Sequence, residues 1–274
     1  MSVSDGVIVG VALTAVVLVM VAGAALTARI RRIAVVDAAW GFAYVALALS
    51  AGAAALIADD GTAESADGHA WVRWVVVAMV VLWGTRLGVH LGRRVLASRE
   101  DDPRYEAMLG GSLDEIPFRR VLIKVYGLQA GIVAVVALPI LVVMTSESVR
   151  IWPVFLGVAL WAIGVGLETT ADRQLAAYKA DPDRPPLLTT GVWSWSRHPN
   201  YFGDTCVWWG IWLASAATCG WVGVVVGLIG PIAMTWFLTM VSGVKLSERR
   251  MAGRPGWEAY AARTSIFVPR PPRG

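Results

Sequence analysis

The run Gly6-Val-Ile-Val-Gly-Val-Ala-Leu-Thr-Ala-Val-Val-Leu-Val-Met-Val-Ala-Gly-Ala-Ala-Leu-Thr-Ala28 contains no ionisable side chain. About 20 such residues in a helix cross a hydrocarbon core of about 30 Å. Lipid offers no partner to a bare amide, so such a run has to be helical. It ends on Arg29-Ile-Arg-Arg32, and a second apolar run, 33–57, follows at once. Five more lie at 71–92, 121–146, 151–170, 201–219 and 221–243. At 57% hydrophobic and 16% charged, the chain reads as all-α: a polytopic membrane protein with seven transmembrane helices. Residues 1–274 are read as one integral membrane domain, with no soluble domain of any size. Asp5 stands where a signal peptide would carry bases, so the first run is expected to be a retained helix.

Charge sets the orientation. Nearly all Arg and Lys follow runs one, three, five and seven: Arg29 to Arg32, Arg93 to Arg120, Arg173 to Arg197, and Lys245 to Arg273. The alternate loops are acidic, as in Asp59-Asp60-Gly-Thr-Ala-Glu64-Ser-Ala-Asp67. The positive-inside rule then puts the N-terminus outside and the C-terminus in the cytoplasm. A net charge of +4 could suggest nucleic acid, but the bases are juxtamembrane. They suit topology and anionic lipid contact, so membrane lipids and not nucleic acid are the expected partners. Cys206 and Cys219 are expected on one helix, about 20 Å apart, too far for a disulfide. Three His without a Cys-His pattern make a zinc site unexpected, and no metal ligands are assigned.

Ionisable groups beside hydrocarbon are costly, so each is a candidate functional residue. The densest cluster is Gly191-Val-Trp-Ser-Trp-Ser-Arg197-His198-Pro-Asn200-Tyr201-Phe-Gly-Asp204, at the threshold of run six. Run five continues as Glu168-Thr-Thr-Ala-Asp172-Arg-Gln-Leu-Ala-Ala-Tyr-Lys179, a helix leaving the membrane until Asp181-Pro-Asp-Arg-Pro-Pro186 breaks it. Glu168 and Asp172, four apart, share a face of that helix. Two polar elements thereby converge at one membrane edge, which suits a polar ligand above a lipid-facing pocket.

Deeper in the chain, Asp37 sits about one turn into run two. It is either a snorkelling carboxylate paired with Arg31 or Arg32, or an acid facing other helices. Arg86 and His90 share a face of run three, and a guanidinium at that depth needs Asp37 or an anionic ligand. Gln129 either lines a pocket or bonds between helices. Trp208, Trp209 and Trp212 either wall a cavity or face lipid. In the tail, Tyr260 and Arg263 are three apart and expected on one face, ahead of an apolar Ile-Phe-Val-Pro anchor. Arg suits bidentate phosphate contact, and Tyr can stack on a base. No Walker loop, GxGxxG or Ser-His-Asp set occurs, so a nucleotide would bind between helices.

The motif 191–204, the following Trp208-Trp-Gly, the run Val241-Ser-Gly-Val-Lys-Leu-Ser-Glu248 and Asp37-Ala-Ala-Trp-Gly together resemble a bacterial family of uncharacterised membrane proteins related to the steroid 5α-reductases. The likeness covers most of the chain and is most specific over 150–270. Sterol reductases and isoprenylcysteine carboxyl methyltransferases share its Arg-His-Pro-x-Tyr-x-Gly core. The resemblance implies seven helices holding NADPH at the cytoplasmic side and a hydrophobic, lipid-like substrate among the helices. It implies that Asp172, Asn200, Asp204, Tyr260 and Arg263, with Arg197, His198 and Tyr201 of the motif, hold the cofactor; Asp204 stands where relatives have Glu. The reductases polarise their substrate with a Glu on helix two and a Tyr on helix three. Asp37 stands in for the former, but Trp83 falls where the Tyr belongs, and an indole cannot replace a phenol as proton donor. Only the reaction class is therefore carried over, not a steroid substrate.

The expectation is an NADPH-dependent reductase of a carbon–carbon double bond, in the bacterial inner membrane, with Asp37 and Arg86 as catalytic residues. Two alternatives stand beside it: an S-adenosylmethionine-dependent methyltransferase on the same scaffold, and a non-catalytic lipid-binding membrane protein. The acids Asp172 and Asp204 with Asn200 fit the reductase pattern better.

Overall fold

A computed structural model describes residues 2–58, 70–98, 101–146, 152–241 and 243–272. The acidic loop 59–67 lies outside the described residues. Among those described there is no β-strand, only a single parallel bridge between Ser196 and Ser265. The rest is helical: α1 (Val3–Ile30), α2 (Val35–Ala58), α3 (Ala70–Ala97), α4 (Pro103–Leu109) and α5 (Phe118–Val121). A π turn, Leu122–Gly127, leads into α6 (Leu128–Val136), then α7 (Leu138–Met144), α8 (Trp152–Ala180), α9 (Pro199–Ala216) and α10 (Trp221–Trp236). A second π turn (Phe237–Val241), α11 (Val244–Met251) and α12 (Trp257–Arg263) complete the chain.

Among the described residues, α1, α2, α3, α8 and the stretch Trp221–Met251 are long and apolar enough to cross a membrane. A sixth candidate is broken: Phe118–Val136 and Leu138–Met144 meet at 51°, where Pro139 cannot continue the amide ladder. The run expected at 201–219 forms α9, which begins inside the polar motif at Pro199. Asn200 and Asp204 occupy its first turns, so it lacks the uniformly apolar length of the others. Large apolar side chains such as Leu18, Leu49, Leu82, Phe155 and Ile163 stand outward and exposed. A water-soluble surface avoids that pattern, whereas lipid accepts it. The chain is a multi-pass, all-helical membrane protein.

Two compact units are present, 1–151 with 215–229, and 152–214 with 230–274. In the first, α1 and α2 form a hairpin, and α2 packs on α3. The hairpin turns through Arg31, at a positive φ of 58°. Thr27 spends its only hydroxyl proton on the Arg32 carbonyl at 2.8 Å. Tyr126, 2.6 Å away, must therefore be the donor to Thr27. A Cβ on Gly41 would lie 2.6 Å from the Gly84 carbonyl, so only glycine permits the α2–α3 approach. Trp83, Tyr44, Leu47 and Ile140 are fully buried in this unit.

In the second unit α8 and α9 meet through the same device. Gly157 abuts Gly210 and Ala214, whereas Gly164 abuts Gly203. Contact positions rise along one helix as they fall along the other, so the pair is antiparallel. The predicted continuation of this helix through the polar stretch after Glu168 is observed: α8 runs unbroken to Ala180. One expectation fails locally, because α9 stops at Ala216 and Cys219 lies beyond it. Both cysteines are free, and the Cys219 thiol donates to the Ser215 carbonyl at 3.1 Å.

Candidate functional site

The polar motif is built in the second unit by stapling one loop to two elements. Gly191 has φ 61°, and a Cβ there would sit 2.4 Å from the Gln174 amide nitrogen, so the turn requires glycine. Gln174 accepts from the Val192 amide at 3.0 Å, and Trp193 donates its indole N–H to the Ala171 carbonyl at 3.2 Å. Both bonds tie the loop to α8. The tail ties it from the other side. The Arg197 amide donates to the Ser265 carbonyl at 2.9 Å, and the Arg270 amide to the Trp195 carbonyl at 3.0 Å. The Ser196 hydroxyl reaches the Phe267 carbonyl at 2.7 Å.

Asp172 and Asn200, predicted to converge, do so: the Asn200 amide nitrogen donates to Asp172 Oδ1 at 3.5 Å. Asp204, one turn further along α9, is buried. Tyr201 stacks on His198, with centroids 5.6 Å apart and planes 8° from parallel. Tyr260 is buried and donates its hydroxyl to the Trp193 carbonyl at 2.6 Å. Burial pushes its phenol above the ordinary pKa, so it remains a donor.

The tail divides its surfaces. On α12 Tyr260 is buried while Arg263, three positions on, is exposed. Positions three apart differ by about 60° around a helix, and the α12 surface divides between them. The Ile-Phe-Val-Pro segment is split as well. Phe267 turns onto Phe202 at 5.5 Å, while Ile266 and Val268 remain exposed.

Glu248, on α11, is the residue the sequence reading left without a role. Its Oε1 lies 2.7 Å from His198 Nε2, and its Oε2 lies 3.1 Å from the Arg197 guanidinium. Burial pushes the His198 imidazole below its ordinary pKa, an effect Glu248 only partly offsets. A neutral ring facing a carboxylate through Nε2 must carry its proton there and donate it. The Arg197 guanidinium also lies 5.3 Å over the Trp257 ring. Two atoms of the cluster, Arg197 Nε and Asn200 Oδ1, are buried without a hydrogen-bond partner among the described residues. Buried polar atoms seldom stay unmatched, so such a pair marks a place where a ligand or water completes the bonding.

The first unit carries a separate acid cluster. Asp37 is half-buried at the start of α2. Its carboxylate accepts from Arg104 at 3.1 Å and from the Tyr105 hydroxyl at 2.5 Å. The sequence offers it Arg31 or Arg32 as a snorkelling partner, or a place facing other helices where Arg86 could meet it. Instead Arg31 pairs with Asp114, and Arg32 donates to the carbonyls of Val95 and Ser98. The first turn of α4 delivers the partners instead. Asp101 caps α2 across the loop, accepting from the Ile33 and Ala34 amides at 2.6 and 3.0 Å. Arg104 also binds Asp102 at 2.8 Å. Burial alone would raise Asp102, but the bonds from Arg104 hold it below the usual carboxylate range. Burial and the adjacent Asp37 carboxylate push the Tyr105 phenol well above its ordinary pKa. Arg86, His90 and Gln129 are half-buried. Trp83, where a tyrosine was sought, is fully buried against Tyr44, with centroids 5.8 Å apart. In the second unit Trp208 is fully buried, which excludes a lipid-facing role; Trp209 donates to Thr235 at 3.1 Å and meets Trp212 edge-on.

Residues 8–264, spanning this motif and the Asp37 cluster, match the profile of a family described as "Protein of unknown function (DUF1295)". The chain belongs to that family. No curated protein and no solved structure matches it. Membership in the family thus fixes kinship without fixing an activity, which leaves the chemistry of the clusters as the guide to function.

Proposed function

We propose that this chain is a membrane-embedded reductase that uses NADPH to saturate a carbon–carbon double bond in a lipid-like substrate. The observation that carries the reading is two buried polar atoms of the motif unmatched among the described residues, Arg197 Nε and Asn200 Oδ1, the latter on a side chain bonded to Asp172. A donor on a guanidinium suits a phosphate or carboxamide oxygen, and an amide oxygen beside a carboxylate suits ribose hydroxyls. The resemblance to steroid 5α-reductases in the motif 191–204 points the same way. Asp172, Arg197, His198, Asn200, Tyr201, Asp204, Tyr260 and Arg263 are the proposed cofactor contacts.

When bound, NADPH supplies a hydride, so the chain has to supply one proton to the other carbon of the double bond. That role is assigned to Asp37, with Arg86 stabilising negative charge as it develops. The step requires Asp37 in its carboxylic-acid form, which gives its proton to the carbon opposite the hydride and is left as a carboxylate that Arg104 and the Tyr105 hydroxyl stabilise. In this reading α9 completes a set of seven spans, the N-terminus is outside, and the cofactor site faces the cytoplasm of a bacterial inner membrane. The alternation of basic and acidic loops is its support.

Titrating detergent-solubilised protein separately with NADPH, NADH and S-adenosylmethionine tests the reading. Saturable NADPH binding is expected. Binding of S-adenosylmethionine without NADPH would transfer the chain to the methyltransferases, and binding of neither would leave a non-catalytic lipid-binding protein.

A further inference from the structure

We infer that Glu248 is a positioning residue for this site: one carboxylate, arriving from α11, fixes the adjacent motif residues Arg197 and His198 at once. The inference rests on the cofactor reading above and adds to it a residue outside the motif. Both oxygens are engaged, 2.7 Å from His198 Nε2 and 3.1 Å from Arg197. Engagement of this kind sets the direction of the guanidinium and the tautomer of the imidazole together. The effect continues outward, since the His198 ring stacks on Tyr201 in the first turn of α9. Arg197 keeps a buried donor, Nε, unmatched among the described residues. The guanidinium is therefore held in place without being used up.

Two structural features separate positioning from simple tethering. The tail is held to the motif independently of Glu248, through Tyr260 to Trp193, Ser196 to Phe267, and the Arg197 and Arg270 amides. Loss of the carboxylate leaves those bonds in place, so its consequences fall on the two side chains it grips. The electrostatic consequence of Glu248 also has the opposite sign to its positioning effect. Removing an anion beside an arginine makes the site more positive, which by charge alone tightens an anionic ligand. Removing a positioning residue weakens it, because the ligand must then pay to order both side chains.

The experiment is NADPH titration of full-length wild type, Glu248→Gln and Glu248→Asp in detergent, with S-adenosylmethionine as a parallel probe. Roughly tenfold weaker NADPH binding is expected for Glu248→Gln, the scale of one charge-assisted hydrogen bond. Glu248→Asp keeps the charge, but a side chain one methylene shorter cannot hold both partners, so it also weakens binding. Histidine-selective 15N spectra supply a readout independent of the ligand. The chain has three histidines, and the His198 signals are identified by their loss in His198→Gln. Wild type should show the Nε2–H tautomer, and Glu248→Gln a mixture. Unchanged or tighter NADPH binding in Glu248→Gln overturns the inference. Should that variant not fold, Glu248→Asp decides by the same criterion, and loss of folding in both makes Glu248 a structural residue and overturns it too. Failure of wild type to bind NADPH or S-adenosylmethionine instead removes the cofactor reading, while the tautomer result still reports on the grip itself.

Discussion

Tyr105 donates its hydroxyl to Asp37 across 2.5 Å, joining α4 to the first turn of α2. The two are 68 positions apart, and the bond makes Asp37 part of a network that includes Arg104 and Asp102. Tyr105→Phe removes the hydroxyl and leaves one carboxylate oxygen less satisfied. A loss of about 1.5–3 kcal/mol is expected, the range for a bond to a charged group, seen as a lower Tm in detergent. Asp37→Ala tests chemistry. If Asp37 delivers the proton, turnover should drop by about 10²–10⁴-fold with cofactor affinity unchanged. Turnover retained at the wild-type rate would reduce Asp37 to an anchor for the loop.

Glycine packing predicts a contrast between two positions close in sequence to the α8–α9 contact. A Cβ on Gly203 would stand 2.7 Å from the Gly164 carbonyl, whereas one on Gly166 meets nothing within 4 Å. Gly203→Val should therefore cost on the order of 1–3 kcal/mol or more, because backbone cannot retreat as a side chain can. Gly166→Val, on α8, should be close to neutral. Thermal unfolding of the two variants side by side checks this, and equal Tm values would contradict the close approach.

His198 makes stability depend on pH with a definite sign. Burial lowers its pKa in the folded state, despite the nearby Glu248 and with help from Arg197. Between the folded and unfolded pKa values the unfolded chain binds more protons, so stability rises with pH in that window. The contribution is fully present above the unfolded value of about 6.5 and is lost as pH falls through the folded value. Wild type should lose Tm on acidification below that point, and His198→Gln should show a flatter profile. A parallel decline in both would assign the acid sensitivity to other groups.

Much of the fold was legible because lipid leaves the chain few choices. Apolar runs announced α1, α2, α3, α8 and α10, and the polar but helix-forming stretch after Glu168 announced the continuation of α8; the single run 121–146 gave no sign of the break between α6 and α7. Local pattern said less where partners lie far apart. Asp101 capping α2 and Glu248 gripping Arg197 with His198 are bonds spanning 67 and 68 positions in one case and about fifty in the other. No helical period encodes such a distance. An acid just beyond a basic cluster was visible at Glu248, yet nothing in the sequence said which cations it would choose. The same limit explains Asp37, for which the nearest arginines in sequence are the natural expectation, although α4 supplies the partners. Arg263 shows the converse: spacing put it beside Tyr260, but the short α12 buries one and exposes the other.

That exposure makes Arg263 the sharpest test of how far the cofactor assignment extends. Asn200 has a buried, unmatched oxygen and touches Asp172, so Asn200→Ala should weaken NADPH and NADH binding alike, by roughly tenfold. Arg263 stands at the solvent side of α12 and is free to meet only the part of a nucleotide that projects outward. If that part is the 2′-phosphate, Arg263→Ala should weaken NADPH by several-fold and leave NADH unchanged, since an exposed charge pair is worth less than about 1 kcal/mol. Titrating both nucleotides against both variants separates the cases. Equal weakening of NADPH and NADH by Arg263→Ala would give the residue a contact shared by the two nucleotides. No change for either would remove it from the site while leaving the assignment of Asn200 and Asp172 intact.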